Sequence, residues 1–134
     1  MFINFLTIDD VMKIHARQLE EFGGANGLRD RSGLEAAITQ PQASWGGQFL
    51  YETIFDMAAV YAFHIAEAQA FVDGNKRTAL NTALVFLMIN GYRVSHQFGP
   101  EMYDAMIGIA TKEVSKEDLA DIIRDLVIDS KDKT

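Results

Sequence analysis

Two long apolar segments separated by a five-residue polar turn constrain the fold of this chain more than any other feature. The pattern predicts one helix over residues 50–68 and a second over residues 75–90, which Gly91 ends. The first segment is apolar on nearly every side, as is typical of a helix buried inside a domain. The most apolar stretch of each segment is too short to cross a bilayer, which takes about 20 apolar residues. We therefore expect two buried helices at the centre of the protein.

Four shorter helices are predicted around this central pair by capping residues, terminal glycines and a proline suited to a first turn. Their expected positions are residues 8–22 after the cap Thr7, a short helix from the capping box at Ser32 to residue 40, residues 100–111 starting at Pro100, and a last amphipathic helix after Ser115. Residues 92–95 are predicted as a short extended piece. The expected fold class is all-α: a compact single-domain bundle of about six helices, with residues 1–134 as that domain.

Composition narrows the classes of function that fit this chain. Its 134 residues, 49% of them apolar, suffice for one folded domain with a core. The formal net charge of -7 argues against broad binding to nucleic acid or to an anionic membrane. No cysteine is present, which excludes disulfides and thiol chemistry and fits a reducing compartment. The first residues do not resemble a signal peptide, so we expect a cytoplasmic protein.

The polar turn itself, Asp73-Gly74-Asn75-Lys76-Arg77, predicts an anion site. Lys76 and Arg77 fall in the first turn of the second central helix, where the helix dipole disfavours cations by up to about 1 kcal/mol each. A bound anion would remove that conflict, because the free backbone N–H groups and both cations would then point at it. Phosphate is the most plausible anion. The simpler alternative is that Asp73 neutralises Arg77 within an ordinary polar turn.

Residues 64–80 read His-Ile-Ala-Glu-Ala-Gln-Ala-Phe-Val-Asp-Gly-Asn-Lys-Arg-Thr-Ala-Leu and resemble the signature of the Fic/Doc family. The lysine in this motif is similar to that of the Doc (death-on-curing) branch. Further similar pieces lie near residues 22–24, 28–30, 34–38, 86–92 and 110–113, so the resemblance covers nearly the whole chain. It implies the helical Fic/Doc fold.

The resemblance also implies an activity and partners. Doc proteins are toxins against translation, restrained by a small antitoxin encoded beside them, and an elongation factor is one candidate target. Fic enzymes usually have glycine where Lys76 stands and transfer a nucleotidyl group to a protein hydroxyl. The Doc branch, with lysine there, resembles a protein kinase that transfers a terminal phosphate. Lys76 would therefore select between the two reactions.

Each position of the motif takes an expected role from this resemblance, with ATP and Mg²⁺ as the cofactors. Asp73 would be catalytic and hold the metal, since hard cations prefer carboxylate oxygen. Gly74 would let the backbone approach the phosphates, and Asn75 would cap the helix and add a donor. Lys76 and Arg77 would bind the phosphates. Phe71 would be a buried anchor for the loop.

Gln69 departs from the family pattern, which has histidine there as the general base. Ala68 and Ala70 replace the usual neighbouring asparagine and proline. Glutamine can orient a hydroxyl but cannot accept its proton at neutral pH, and losing a base costs about 10²–10⁴ in rate. Three accounts remain open. The protein is catalytically silent, binding a nucleotide or an antitoxin-like partner; it tolerates the loss because phosphoryl transfer relies on positioning; or another group such as Asp73 takes the proton.

His64 and Trp45 are two further candidates for a role in the site. His64 lies roughly 140° round its helix from Gln69, so we interpret it as a packed or capping residue rather than a substitute base. Trp45, in the loop over residues 41–47, belongs either to a flap over the site or to a lid on the core. No inhibitory segment of the kind found in some Fic proteins is present, so restraint would come from another chain.

Overall fold

Six helices and four short strands make up residues 2–130, the part of the chain that the computed structural model describes. The helices are α1 (Ile8–Phe22), α2 (Arg31–Thr39), α3 (Ile54–Ala68), α4 (Asn75–Ile89), α5 (Phe98–Ala110) and α6 (Lys116–Leu126), with a short 3₁₀ helix at Gln40–Gln42. The strands are β1 (Ser44–Trp45), β2 (Gln48–Phe49), β3 (Tyr92–Val94) and β4 (Val127–Ser130). The predicted all-α class is confirmed.

The helices α3 and α4 form the centre of the bundle, as predicted. They pack against each other, and α3 also contacts α2, α5 and α6. Eight of the fifteen residues of α3 are buried, from Ile54 to Ile65, and α4 buries Phe86 and Leu87 completely. The turn between these two rigid helices is therefore fixed at both ends by the core. Within residues 2–130, no helix has the length and apolar character needed to cross a membrane.

The observed starts of α1 and α6 agree with the prediction, whereas those of α2 and α3 differ from it. Thr7 and Ser115 each form the predicted capping box, with Asp10 and Asp118. The prediction that Ser32 caps α2 is wrong, because the side chain of Asp30 accepts the Gly33 N–H and Ser32 lies inside the helix. The third helix also starts later than predicted, after the cap Thr53 rather than at residue 50.

The strands form two small antiparallel pairs. β1 and β2 make a hairpin whose turn, Gly46-Gly47, has positive φ at both residues, so the predicted loop is more regular than expected. The predicted extended piece is confirmed as β3, and it pairs with β4 at the end of the described chain. That second pairing was not predicted, because it joins residues more than thirty positions apart.

Candidate functional site

One cleft of about 430 Å³ holds every residue predicted for the site. It lies at the start of α4, between α1, the end of α3 and α5. Its lining includes Gln69 together with Asp73, Gly74, Asn75, Lys76 and Arg77. The structure thus brings the predicted residues together, while their chemical roles remain predictions.

Gln69 ends α3 in the left-handed region, at φ 46° and ψ 44°, which is uncommon for a residue other than glycine. This conformation costs about 1–2 kcal/mol. Arg29 opposes the cost, because its Nε and Nη2 lie 3.4 and 3.3 Å from the Gln69 carbonyl oxygen and donate to it. Gln69, at the position of the expected general base, therefore has a strained backbone conformation that Arg29 stabilises. Strained backbone of this kind often occurs at functional sites.

The short extended segment just before α2 holds the next part of the turn, residues 70–72. The N–H groups of Arg29 and Asp30 both donate to the carbonyl of Ala70, at 2.8 and 3.1 Å. The N–H of Val72 donates to the carbonyl of Gly27 at 3.0 Å, and Leu28 forms an isolated bridge with Phe71. The turn is thus paired like a strand along residues 70–72, which limits its freedom before any ligand binds.

Phe71 is completely buried and anchors the turn, as expected. The imidazole of His15 stacks on its ring, with centroids 3.8 Å apart and planes 8° from parallel. Asn75 holds the backbone of Phe71 from the other side, since its Oδ1 accepts the Phe71 N–H and its Nδ2 donates to the Phe71 carbonyl, both at 3.0 Å. The expectation that Asn75 caps α4 is wrong: Gly74 occupies the cap position, and the amide of Asn75 fixes the turn instead.

The carboxylate of Asp73 already accepts two backbone hydrogen bonds. Oδ1 accepts the N–H of Gly74 at 3.0 Å and Oδ2 accepts that of Ala25 at 3.2 Å. The chain can come this close only because residue 24 is glycine, at φ 121°: a Cβ there would lie 2.9 Å from Asp73 Oδ2. A carboxylate has about four lone-pair sites, so about two remain for another ligand.

Asp73 fits a magnesium ion shared with a nucleotide better than it fits a closed protein site. Among the described residues, no group of three or more His, Cys, Asp or Glu side chains could hold a metal ion. Mg²⁺ usually keeps several waters and takes only one or two carboxylates besides phosphate oxygens. The carboxylate of Asp73, beside two cations that could hold the phosphates, is compatible with that donor set.

The first turn of α4 is open to an anion. Gly74 takes φ 78° at the cap, a conformation suited to glycine, and no side chain caps the helix. The N–H groups of the first helical turn have no partner within their own helix. They therefore remain available to an anion in the cleft, where the helix dipole also favours negative charge.

Arg77 is held by aromatic rings rather than by an acid. Its guanidinium carbon lies 3.8 Å from the ring centroid of Phe22 and 4.7 Å from that of Tyr103. Within residues 2–130, the side chains of Arg77 and of the exposed Lys76 make no hydrogen bond or ion pair; Asn81 bonds only to the backbone carbonyl of Arg77. The alternative that Asp73 neutralises Arg77 is therefore wrong. Two cations therefore stand at a helix start without an ion pair to an acid.

Three contributors to the site were missed because they lie far from the motif in sequence. His15 donates from Nε2 to the carbonyl oxygen of Asp73 at 2.8 Å, and Arg29 holds Gln69. Gln18 lies in the cleft wall, only 6% exposed, and its Oε1 has no partner. A sequence signal for Gln18 existed: it falls on the apolar stripe of α1 with Val11 and Phe22, where a polar side chain is unusual.

His64 and Trp45 lie outside this cleft. Nζ of Lys116 donates to Nε2 of His64 at 3.4 Å and to the hydroxyl of Tyr51 at 3.3 Å, so His64 is a packed residue facing α6, as interpreted. Burial, and then the charge of Lys116, lower the pKa of His64. Trp45 is 82% exposed on its hairpin, so the alternative that it covers the core is wrong. The flap remains a prediction.

Comparison with known proteins agrees with this geometry. Residues 5–87 match the Fic/DOC family. The chain is 37% identical over 121 residues to "Protein kinase doc" of Escherichia phage P1, covering 88% of this chain and 91% of that protein. It is 38% identical over 100 residues to "Toxin Doc" of Mycolicibacterium smegmatis, covering 74% of this chain and 77% of that protein. The chain therefore belongs to the Fic/DOC family, within its Doc branch.

Proposed function

We propose that this protein is a Doc-type toxin that transfers the terminal phosphate of ATP to a hydroxyl of a protein in translation. The relatives named as a Doc kinase and a Doc toxin support the coarser description, a Doc-type toxin. The finer description, with ATP, Mg²⁺, a cytoplasmic location and a translation target such as an elongation factor, is our proposal.

One observation carries the proposal: Arg77 and Lys76 stand without an acidic partner at the open start of α4, in a cleft with Asp73. A cationic pair at a helix start is unfavourable unless an anion binds there. The aromatic rings of Phe22 and Tyr103 hold the guanidinium in place, so less conformational entropy is lost when it binds a phosphate. A nucleotide phosphate chain is the anion that this arrangement fits best.

The expected reaction places few chemical demands on the protein. The oxygen of the target hydroxyl forms a bond to the terminal phosphorus, the bond to the ADP oxygen breaks, and the hydroxyl proton passes to a carboxylate of the cleft or to water. Arg77, Lys76 and the first N–H groups of α4 stabilise the charge on the phosphate oxygens. Asp73 would hold Mg²⁺, which neutralises phosphate charge when bound. His15 and Arg29 keep the turn in the geometry that positions these groups.

Lys76 is the basis for proposing phosphate rather than nucleotidyl transfer. It is exposed and lines the cleft one residue after the start of α4. A charged side chain there occupies space that glycine would leave open and attracts phosphate oxygens towards itself. The nucleotide should therefore sit with its terminal phosphate towards the target hydroxyl.

Gln69 favours a second candidate function, a catalytically silent member of the same family that binds a nucleotide or an antitoxin-like partner. Its amide cannot take the hydroxyl proton. Two carboxylates line the same cleft, Asp73 and Glu67, and either is a candidate to accept the proton in its place. Glu67 is exposed, so its carboxylate is free to approach a bound hydroxyl.

Growth of a bacterial host after induction separates the two functions. An active toxin should arrest growth, and Gln69→His should arrest it at a lower level of expression, because the general base is restored. The double variant Gln69→His with Arg77→Ala serves as the inactive control. Coexpression of a small antitoxin encoded next to the gene should relieve the arrest. Normal growth with both wild type and Gln69→His would refute the toxin and favour the silent binding protein.

A further inference from the structure

Gln18 is a buried amide whose oxygen has no hydrogen-bond partner. The side chain projects from the middle of α1, and the residue is only 6% exposed. Its Oε1 is one of two buried side-chain atoms without a partner among the described residues. The other, Thr78 Oγ1, lies on a residue that lines neither cleft described here. Gln18 is therefore the unpaired buried group in contact with the site.

An unpaired buried acceptor is unfavourable, because the group loses its water without gaining a replacement donor. Two other buried residues on this face of α1 have no unpaired polar atom: Val11 is fully buried and apolar, and His15 donates a hydrogen bond to the carbonyl of Asp73. Leucine or methionine at position 18 would fill the same space without an unpaired oxygen. A local rule broken without a local gain is often a functional position.

Gln18 also occupies a junction between two clefts. A second, more open cleft of about 490 Å³ lies between α1, α4 and α5. Both clefts are lined by Gln18, Phe22, Arg77 and Tyr103. A ligand with phosphates at the start of α4 therefore extends past Gln18, whichever cleft takes the rest of it. The last torsion of a glutamine side chain is broad, so a small rotation turns its oxygen towards the cleft.

We propose that Gln18 Oε1 accepts a hydrogen bond from the nucleoside part of the bound nucleotide, which makes it a binding and specificity residue. This inference rests on the proposed nucleotide site. The donor is an N–H of the base or an O–H of the sugar, since phosphate oxygens at neutral pH offer no donor to an amide oxygen. Gln18 therefore distinguishes a nucleoside triphosphate from an inorganic one.

The test compares ATP with inorganic tripolyphosphate, each with Mg²⁺, by calorimetry on the full chain. Gln18→Leu should weaken ATP binding by about 5- to 50-fold, the effect of one lost hydrogen bond to a buried group, and leave tripolyphosphate binding unchanged. The thermal midpoint without ligand should stay equal or rise, because an unpaired acceptor is removed. Gln18→Met, which keeps the unbranched shape, repeats the measurement if the leucine variant folds poorly. Gln42→Leu, at an exposed position of the 3₁₀ helix and outside the lining of both clefts, is the control.

Nucleotide analogues identify the donor. The wild type should bind one of 2′-deoxy-ATP, 3′-deoxy-ATP or the purine triphosphate without the 6-amino group as weakly as Gln18→Leu binds ATP. If all three bind the wild type as tightly as ATP does, the inference is overturned. It is also overturned if Gln18→Leu binds ATP normally, or loses ATP and tripolyphosphate equally. A wild type that binds neither ligand refutes the nucleotide site itself, and the inference with it.

Discussion

The imidazole of His15 lies flat on the ring of Phe71, with centroids 3.8 Å apart, so that the first helix and the motif turn share one stacked pair. The same imidazole donates to the carbonyl oxygen of Asp73 at 2.8 Å, and because a carbonyl can only accept, its Nε2 carries a proton. Both rings are buried. The metal-binding candidate is therefore positioned by a residue almost sixty positions earlier in the chain.

His15→Phe should separate the hydrogen bond from the stack. The variant keeps an aromatic ring against Phe71 but leaves the Asp73 carbonyl without its donor. We expect the free energy of unfolding to fall by about 1–3 kcal/mol, because the partly buried carbonyl group of Asp73 loses its donor. Urea unfolding measures this change, with His96→Phe on the exposed loop after β3 as the control. Equal stability of the His15 variant and the wild type would contradict the positioning role.

Arg77→Ala should weaken ATP binding by about 1.5–3 kcal/mol, the contribution of a hydrogen bond to a charged group. Arg17→Ala removes the same charge from an exposed position of α1 outside both clefts, and its ATP affinity should equal that of the wild type. Calorimetry compares the two. Unchanged affinity in Arg77→Ala, or an equal loss in both variants, would show that no specific phosphate contact is made.

The stability of ligand-free Arg77→Ala is a separate measurement. The helix dipole alone predicts a gain of up to about 1 kcal/mol. The variant also loses the cation–π contacts with Phe22 and Tyr103, each worth about 0.5–1 kcal/mol at an exposed site. These effects oppose each other, so we expect little net change in the free energy of unfolding. A large gain would mean that the stacking contributes nothing.

Stability should fall as the pH drops through the ordinary range of histidine, and His64 should account for part of the fall. Burial and the nearby Lys116 lower its pKa from 6.5, so the unfolded chain binds a proton more readily than the folded one. The stabilisation is therefore present above the unfolded pKa and is lost as the pH falls through the lowered folded value. His64→Gln should flatten the slope of stability between about pH 7 and pH 5. An unchanged slope would contradict the shift.

Lys76→Gly tests whether Lys76 sets the reaction type. If it does, phosphate transfer should fall, and nucleotidyl transfer becomes possible because the side chain no longer fills the cleft. Lys13→Ala, at an exposed position of α1, is the control for the loss of one positive charge from a helix. A Lys76→Gly variant that transfers phosphate like the wild type would show that the lysine is merely solvated.

The contiguous part of the site could be predicted from the sequence, and the part built by distant residues could not. Residues 69–77 follow one another, so their motif gives both their identity and their place between two helices. Gln18 reaches the cleft through the packing of α1. His15 and Arg29 reach the backbone of the motif turn through the packing of α1 and the pairing of the segment before α2. Nothing local marks them, apart from the polar residue on the apolar stripe of α1.

The misplaced start of α2 has the same cause. Ser32 and Asp30 are both acceptable caps by local pattern. The choice is made by the backbone of Asp30, whose N–H donates to the carbonyl of Ala70 and keeps that residue outside the helix. Where the capping box alone decides, as at Thr7 and Ser115, the sequence predicted the helix start correctly.

The most direct test of phosphate transfer is to identify the chemical group that becomes attached to a protein target. Wild type and Gln69→His are incubated with a cytosolic extract and with ATP labelled on either the terminal or the innermost phosphate, and the modified protein is then weighed by mass spectrometry. Gln69→His should transfer label about 10²–10⁴-fold faster than the wild type, because a general base is restored. The account predicts that only the terminal label moves and that the target gains the mass of one phosphate. A gain of one AMP, or no transfer by either protein, would contradict it.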